Sequence, residues 1–269
     1  SSFSGKVAIC FGGARGIGAR TAERLAAGGA RVVIADIARD LAHAVSETIR
    51  NAGGEAVTVP CDISSEQQVA SVVAEATTRY GGIDLVHQNV ADAGLAAIDG
   101  DIIDTDIALF DKTMAVNLRG SLICTRLTVP ELLKRGGGAI VFTSTDGVYT
   151  QGKYQYFYRM SKAGLNSLMR SVAHRYGKEG VRANVVSPGL ILADDGDHIM
   201  PDEVKQAYLN VDEATRRVPV ARQSIEEAEE NLRMIRDQYA EGWVSSTDVL
   251  VEEDRLSRAR SNYYRALYD

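Results

Sequence analysis

The stretch KVAICFGGARGIGARTAERLA, residues 6–26, decides the fold of this chain. A short apolar run leads into three glycines, Gly12, Gly16 and Gly18, and a helical pattern follows them. Gly12 allows a tight turn after a strand, Gly16 lets backbone approach a pyrophosphate, and Gly18 lets the helix pack closely on the sheet. A plain strand-to-helix turn would not need three glycines at this spacing. The stretch therefore predicts a nucleotide site in which the helix N-terminal amides face the phosphates.

Five further apolar runs follow, separated by amphipathic stretches. Their apolarity is continuous rather than alternating, which is typical of strands covered on both faces. Helices between such strands force parallel pairing through right-handed crossovers. The pattern predicts an α/β fold, a doubly wound Rossmann-type parallel sheet of about six strands with its ligand crevice at their carboxyl ends. The runs are residues 6–11, 31–36, 56–61, 83–88, 138–144 and 181–187.

The acidic residue at the end of the second run bears on cofactor choice. Asp36 lies about 20 residues past the glycine loop, where a carboxylate can accept hydrogen bonds from both ribose hydroxyls of adenosine. Its charge would repel a 2′-phosphate, so NAD is favoured over NADP. Arg15 inside the loop argues the other way, because a cation could pair with that phosphate. Asp62, after the third run, is placed either to meet the adenine edge or to cap a helix before Ser64 and Ser65.

Tyr158 and Lys162 carry the predicted chemistry. Residues four apart on a helix project from one face, so both side chains can address one ligand. Ionising a free phenol at pH 7 costs about 4 kcal/mol. A nearby ammonium and a positively charged nicotinamide ring both favour the phenolate, which makes Tyr158 a candidate acid and base. The alternative is a surface tyrosine and a solvated lysine at chance spacing. Tyr154 and Tyr156 have no lysine four residues on and are interpreted as pocket lining.

Composition narrows the class of protein. The 269 residues are 45% apolar and 25% charged with a net charge of −6, which is typical of a globular protein and argues against nucleic-acid binding. The first residues contain neither a signal peptide nor a membrane span, so a cytoplasmic protein is expected. The three cysteines are interpreted as buried reduced thiols. The four histidines are scattered without ligand spacing, so no metal site is predicted.

Residues 3–227 resemble the short-chain dehydrogenase/reductases. Beyond the glycines and the Tyr-x-x-x-Lys motif, the family's Asn-Ala-Gly element corresponds to Asn89-Val90-Ala91 and its Pro-Gly to Pro188-Gly189. Its catalytic asparagine corresponds to Asn117 in MAVNLRG. The resemblance implies that Asn117 orders a water in a proton relay from Lys162. It also implies that a hydroxyl 13 residues before the tyrosine polarises the substrate oxygen, a position held here by Thr145 and preceded by Ser144; which of these two hydroxyls donates is left open.

The resemblance implies an NAD-dependent oxidoreductase that transfers a hydride between the cofactor and a secondary alcohol or ketone. It also implies a homodimer or homotetramer, because the helix holding Tyr158 and its predecessor usually build a subunit interface in this family. The catalytic residues would be Asn117, Thr145, Tyr158 and Lys162. Cofactor contacts would come from a larger set, namely Gly12, Arg15, Gly16, Ile17, Gly18, Asp36, Asp62, Ile63, Asn89, Tyr158, Lys162, Pro188, Gly189 and Ile191.

Some positions depart from the family pattern. Ala91 replaces a glycine beside the cofactor, and Ala193 stands where a threonine often holds the carboxamide. The acidic segment 92–108 is predicted to skirt the mouth of the site, and 190–215 is interpreted as a substrate lid.

The largest departure is the end of the chain, residues 228–269, which we predict to be a separate helical segment after a domain of residues 1–227. Its pattern predicts two amphipathic helices, the first ended by Gly242 and the second capped by Ser246 or Thr247. This segment resembles the helical hairpin of TolC-type outer-membrane efflux factors. A seventh strand is not predicted, so the sheet edge would need another cover. Two alternatives follow: a nucleotide-binding scaffold without appreciable catalysis, and an interaction module built on the hairpin.

Overall fold

The computed structural model describes the backbone of residues 2–150, 152–189, 191 and 202–268, and their side chains except at 202–220 and 264–268. The chain divides into two compact units, residues 1–191 and 192–269. The boundary predicted after residue 227 rests on the sequence resemblance and stays a prediction.

The first unit is built on a six-stranded parallel sheet in the order β3-β2-β1-β4-β5-β6. Every apolar run of the sequence forms one strand, which confirms the predicted sheet. In the register, Ala8 of β1 faces Val32 on one side and Leu85 on the other. The strand order reverses between β1 and β4, and such a switch point opens a crevice at the carboxyl ends of the strands. The strands are β1 (Val7–Phe11), β2 (Arg31–Asp36), β3 (Glu55–Pro60), β4 (Leu85–Gln88), β5 (Gly138–Thr143) and β6 (Val181–Val186).

Helices cover the sheet between successive strands. Between β4 and β5 the chain forms a π-helical segment, Met114–Gly120, that joins two α-helices without a break. The helices of this unit are α1 (Gly16–Ala27), α2 (Arg39–Asn51), α3 (Glu66–Tyr80), α4 (Ala93–Ala97), α5 (Ile107–Thr113), α6 (Ser121–Lys134) and α7 (Tyr156–Tyr176).

The core lies on both faces of the sheet. All five residues of β1 are buried, and their side chains alternate between two hydrophobic clusters. One cluster includes side chains from α3, α6 and α7, and the other includes side chains from α1 and α2. This is why the apolar runs are continuous: a central strand with both faces covered has no solvent side. The three cysteines are free and buried, as predicted.

The second unit contains two helices, α8 (Asp202–Ala240) and α9 (Ser246–Tyr268). The ion pairs Arg236–Glu253 and Arg260–Glu229 connect them in antiparallel order. Gly242 lies between them with φ +77°, as predicted for a helix end.

The predicted caps of α9 were wrong by one residue. Ser245 accepts a hydrogen bond from the Asp248 N–H at 3.4 Å, and the Asp248 carboxylate accepts one from the Ser245 N–H at 2.8 Å. This reciprocal pair is a capping box with Asp in the third helical position. Sequence periodicity could not separate three adjacent hydroxyl residues.

Within the described ranges, the sheet has no seventh strand, and β6 is therefore an edge. No helix of the described part of the chain is both long and apolar enough to cross a membrane.

Candidate active site

The glycine loop brings α1 into direct contact with the end of β1. A Cβ on Gly18 would lie 1.9 Å from the Gly12 carbonyl oxygen, a distance that no side chain tolerates. Gly12 itself has φ +76°, and its Cβ would lie 2.9 Å from the Val90 nitrogen. Gly13, which the sequence reading passed over, is equally confined, since its Cβ would lie 2.9 Å from Cγ2 of Ile34. The packing roles expected of Gly12 and Gly18 are present.

Gly16 differs from these glycines because its side is open. It has φ +53°, and a Cβ there would meet no atom within 4 Å. The helix α1 begins at this residue, and Arg15 gives its first turn no side-chain hydrogen bond. The first amides of a helix carry partial positive charge and lack partners within the helix. An open space beside uncapped amides fits a phosphate group, so the loop suits a dinucleotide.

Asp36 connects the end of β2 to the glycine loop. One carboxylate oxygen accepts the Ala14 N–H at 3.0 Å, and the other accepts the Ala38 N–H at 2.9 Å. An ionised carboxylate can accept about four hydrogen bonds, so these two fix its position and leave capacity for a ligand. Arg15, which follows Ala14 in the glycine loop, is exposed.

Asp62 and Ile63 are held by neighbouring groups of the fold. The Asp62 carboxylate accepts hydrogen bonds from both the N–H and the hydroxyl of Ser64, at 2.9 and 2.7 Å. Ser65, not Asp62, caps α3 through the Gln68 N–H. The Ile63 side chain is only 3% exposed and packs where a Cβ on Gly120 would be, 2.7 Å from Cγ1. Any cofactor contact by Ile63 would therefore come from its backbone.

Asn89 and Pro188 brace the loops around the crevice. The Asn89 side chain donates to the Gly12 carbonyl at 3.2 Å, which links β4 to the glycine loop. The Pro188 carbonyl accepts the Asp146 N–H at 3.0 Å, and Gly189 lies beside the Asp146 carboxylate.

Two isoleucines of the predicted cofactor set lie near the surface. Ile17 is half-buried at the start of α1, and Ile191 is exposed.

Lys162 lies in the interior one turn after Tyr158 on α7. It is only 1% exposed, and its ammonium donates to the carbonyls of Thr143 at 2.9 Å and Val90 at 3.4 Å. Burial lowers the pKa of Lys162 to about 8. Its Nζ lies 5.8 Å from the centroid of the Tyr158 ring, so the two side chains share one site, as their spacing predicts.

Tyr158 is neutral at physiological pH in this environment. Burial raises the pKa of its phenol above the usual value of about 10. That Lys162 and a cationic nicotinamide ring together favour the phenolate stays a prediction. The lysine at this distance does not reverse the effect of burial, so the phenolate depends on further positive charge.

Asn117 lies in the π-helical segment before α6 and is fully buried. Its amide oxygen accepts the Asp92 N–H at 3.1 Å, and its amide nitrogen donates to the Ser161 hydroxyl at 3.2 Å. That hydroxyl donates to the Tyr158 carbonyl at 2.6 Å. π-helical turns are often found at functional sites because they displace a residue from the regular helix. Asn117 is thus joined to the backbone of α7 next to Tyr158.

Ser144 and Thr145 point to different surroundings. The Ser144 hydroxyl is buried and donates to the Lys162 carbonyl at 3.2 Å. The Thr145 hydroxyl is partly exposed, accepts the Gly147 N–H at 3.2 Å, and donates to the Asp146 carboxylate at 3.4 Å. Ser144 is engaged within the fold, and Thr145 is the one a ligand can reach.

The start of α7 depends on a residue that the sequence reading did not single out. Asp99, 2% exposed, accepts the Tyr158 N–H at 2.8 Å through its side chain and the Gln155 N–H at 2.8 Å through its carbonyl. The signal for it in the sequence is weak, because Asp99 is one of several acids between residues 92 and 106. The predicted pocket residue Tyr154 is 64% exposed. Ala193 lies outside the described residues, as do the other residues of 192–201 in the predicted lid, whereas 202–215 of that segment belong to α8.

Known proteins share this architecture. A family model described as enoyl-(acyl carrier protein) reductase matches residues 12–234. The chain is 42% identical over 187 residues to a mitochondrial (−)-isopiperitenol/(−)-carveol dehydrogenase of Mentha piperita. The matched stretch covers 69% of each protein. It is 39% identical over 192 residues to a probable short-chain type dehydrogenase/reductase of Bradyrhizobium diazoefficiens, covering 71% of this chain and 68% of that protein.

Among solved structures, levodione reductase matches with a TM-score of 0.65 at 31% identity, covering 70% of this chain and 72% of the other. The family match and the identity to these relatives indicate the same family as do the sheet order, the glycine loop and the Tyr-x-x-x-Lys pair. This chain therefore belongs to the short-chain dehydrogenase/reductases, a family of oxidoreductases that use NAD or NADP.

Proposed function

We propose that the protein transfers a hydride between NAD(H) and a secondary alcohol or ketone, with Tyr158 as acid and base. The observation that supports this most is the pairing of Tyr158 with the buried Lys162 at the carboxyl ends of β4 and β5. The names of two similar proteins, a dehydrogenase of two alcohols and a reductase of a dione, favour the same chemistry.

Tyr158 would move the proton at the substrate oxygen. A nicotinamide cofactor, when bound, supplies or accepts the hydride. In reduction the phenol donates its proton to the carbonyl oxygen, and in oxidation the phenolate removes the proton of the alcohol. Burial alone keeps the phenol protonated, so reduction needs no further change. Oxidation requires the positive charge of Lys162 and of the oxidised cofactor to lower the pKa.

Asn117 and Thr145 would support this proton transfer. A proton relay would join Lys162 to Asn117. Lys162 donates to the Val90 carbonyl, and Asn117 accepts the N–H of Asp92, which is two residues further along the chain. The Thr145 hydroxyl would donate to the substrate oxygen in place of its 3.4 Å hydrogen bond to Asp146, because it is partly exposed whereas the Ser144 hydroxyl is buried. A single such donor contributes about 3 kcal/mol to the transition state.

NAD is proposed over NADP because of the Asp36 carboxylate. It is held rigidly by the Ala14 and Ala38 amides, at the position where a 2′-phosphate would have to lie. The remaining acceptor capacity of its oxygens suits two ribose hydroxyls.

The test of the chemistry is Tyr158→Phe beside Tyr154→Phe. Removal of one hydroxyl from the site should abolish turnover of secondary alcohols while NADH binding, measured by fluorescence titration, stays within about twofold. Tyr154 is four residues earlier and 64% exposed, so the same deletion there controls for loss of a phenol as such. Turnover retained by Tyr158→Phe would place the base elsewhere.

The cofactor choice is tested by thermal melting with NADH and with NADPH. A ligand at 100 times its dissociation constant adds about 2.7 kcal/mol to the folded state. We expect a rise with NADH alone in the wild type, and a loss of this preference in Asp36→Ser. Equal stabilisation of the wild type by both nucleotides would refute the assignment to NAD. No stabilisation by either would favour the alternative of a scaffold without catalysis.

A homodimer is proposed through the outer face of α6 and α7. This face carries an apolar groove of about 680 Å³ whose lining includes Leu122, Val129, Leu133 and Leu168. Leu122 in this groove is half exposed, and a contiguous exposed apolar groove is typical of a protein–protein contact. Sedimentation of the wild type and of Leu122→Lys measures this contact, because a charge in the groove should release monomers. Deletion after Glu227 tests separately whether the hairpin changes the oligomeric mass.

A further inference from the structure

The helix that carries Tyr158 begins without a cap of its own. Gln155 precedes α7 with φ 64° and ψ 39° and gives the helix no side-chain hydrogen bond. Within the described ranges it is the one residue other than glycine with positive φ. This conformation costs about 1 kcal/mol for a residue with a Cβ, so neighbouring groups must hold it in place.

Asp99 provides what the helix lacks. Its carbonyl accepts the Gln155 N–H, which fixes the left-handed residue, and its carboxylate accepts the N–H of Tyr158 in the third helical position. A side chain that precedes a helix normally makes this second bond. Here the acceptor comes from 59 residues earlier in the chain.

Asp99 is a buried carboxylate rather than a solvated surface acid. The residue is 2% exposed, and its second carboxylate oxygen, Oδ1, is buried without a hydrogen-bond partner among the described atoms. Burying a half-satisfied carboxylate is unfavourable. The positive end of α7 and the Tyr158 N–H are the features that favour it there.

The contact acts on Tyr158 more than on Lys162. The peptide groups on either side of Tyr158 are held by Asp99 at the N–H and by Ser161 at the carbonyl. Lys162 is held separately, through its ammonium, by the carbonyls of Thr143 and Val90. Loss of the Asp99 acceptor would therefore loosen the first turn of α7 while the lysine stays in place.

We propose that Asp99 is a positioning residue for Tyr158, through which the segment 92–108, predicted to skirt the mouth of the site, sets the direction of the catalytic phenol. This inference rests on the proposed function of Tyr158. Because displacement of a reacting group by about 1 Å can lower a rate by about a hundredfold, small movements of the first turn matter.

The experiment compares Asp99→Ala, Asp99→Asn and Asp106→Ala. Asp106 lies in the same segment and caps α5 through the Ala108 N–H at 2.9 Å, so Asp106→Ala removes an equivalent bond from a helix without Tyr158. We expect Asp99→Ala to lower kcat about tenfold to a hundredfold, with the NADH dissociation constant unchanged. Asp99→Asn keeps an amide oxygen for the Tyr158 N–H and should restore kcat to within about threefold of the wild type. Asp106→Ala should match the wild type.

A second readout does not depend on turnover. Amide hydrogen exchange at Tyr158, measured by NMR, should be faster in Asp99→Ala and unchanged in Asp106→Ala. If Asp99→Ala does not fold, Asp99→Ser takes its place, since the shorter hydroxyl cannot reach the same N–H.

The inference is overturned if Asp99→Ala turns over like Asp106→Ala, if Asp99→Asn is no better than Asp99→Ala, or if exchange at Tyr158 does not change. A wild type that turns over no alcohol or ketone contradicts the proposed function instead, and the exchange measurement still shows whether Asp99 holds the helix.

Discussion

The unit that ends at Ile191 and the helical unit after it bury their side chains in different ways. In the first, strands far apart in sequence bring together two large clusters of apolar side chains, many with no exposed surface. In the second, within the side chains described there, the buried cluster consists of Ala228, Leu232 and Leu256.

Their polar interactions differ in the same way. The first unit contains buried charged groups such as Asp84 and Lys162, each with several partners. The ion pairs described in the hairpin are mostly between exposed side chains three or four residues apart on one helix. A long-range core makes each side chain depend on many others, whereas a local hairpin depends on caps and on a narrow seam. Matched substitutions in the two units can measure this difference.

The largest effect is expected from leucine truncation. Leu132 is fully buried in the main core, so Leu132→Ala should lower the free energy of unfolding by about 3–4 kcal/mol. Leu232→Ala, in the small cluster of the hairpin, should cost about 1–2 kcal/mol because the thinner surroundings can collapse or admit water. Urea unfolding followed by circular dichroism gives both numbers. Equal losses would show that the hairpin is as tightly packed as the sheet.

The second effect is a pH dependence that comes from Lys162 in the first unit. Burial lowers the pKa of Lys162 to about 8, while the unfolded chain has a pKa of about 10.4. Between these values the unfolded state binds more protons, so stability should rise with pH. We expect wild type to gain about 2 kcal/mol over Lys162→Met between pH 7.5 and 10. Parallel curves for the two proteins would mean that the lysine keeps its ordinary pKa.

The third effect is the loss of an ion pair. The Asp84 carboxylate accepts the Val7 N–H and hydrogen bonds from Lys6 and Arg135, at 2.9 to 3.1 Å. Asp84→Ala should cost about 2 kcal/mol, because these bonds involve a charged and buried acceptor. Glu253→Ala, which removes the exposed partner of Arg236, should be within experimental error.

The contribution of Asp84 to stability depends on pH. Burial would raise the pKa of Asp84, but the Val7 amide and the two cations outweigh it, and the pKa is lowered. The stabilisation by Asp84 is therefore complete above about pH 4 and is lost as the pH falls through the lower, folded-state pKa. The difference between wild type and Asp84→Ala should therefore shrink in acid.

The smallest effect compares helix caps. Ser65 caps α3 and Ser245 caps α9. Alanine at either position should cost about 1 kcal/mol, measured by thermal melting, because a cap acts locally whatever the size of the core. Ser246→Ala is the control and should be neutral. A loss at Ser246 comparable to that at Ser245 would restore the cap that the sequence suggested.

Sequence reasoning succeeded where a single residue type or pattern meets a structural requirement. Gly18 is required because the helix touches the Gly12 carbonyl, and the six strands were found because burial on both faces makes a run continuously apolar. It failed at Ser245, where three neighbouring hydroxyls have the same pattern. Its assignment of Ile63 to the cofactor site stays a prediction, in which the contact would come from the backbone because the side chain packs against Gly120.

The sequence by itself determined the sheet, the glycine loop, the Tyr158–Lys162 pair and the presence of two final helices, since each depends on spacing along the chain, but not that the first of these helices begins at Asp202. Only the tertiary structure decided that Asp99 holds the start of α7 and that Ser144 is turned away toward the Lys162 carbonyl. It also decided that burial moves the pKa of Tyr158 upward. These features depend on which groups, far apart in sequence, come into contact and on how much water is excluded between them. Local spacing along the chain determines neither of these.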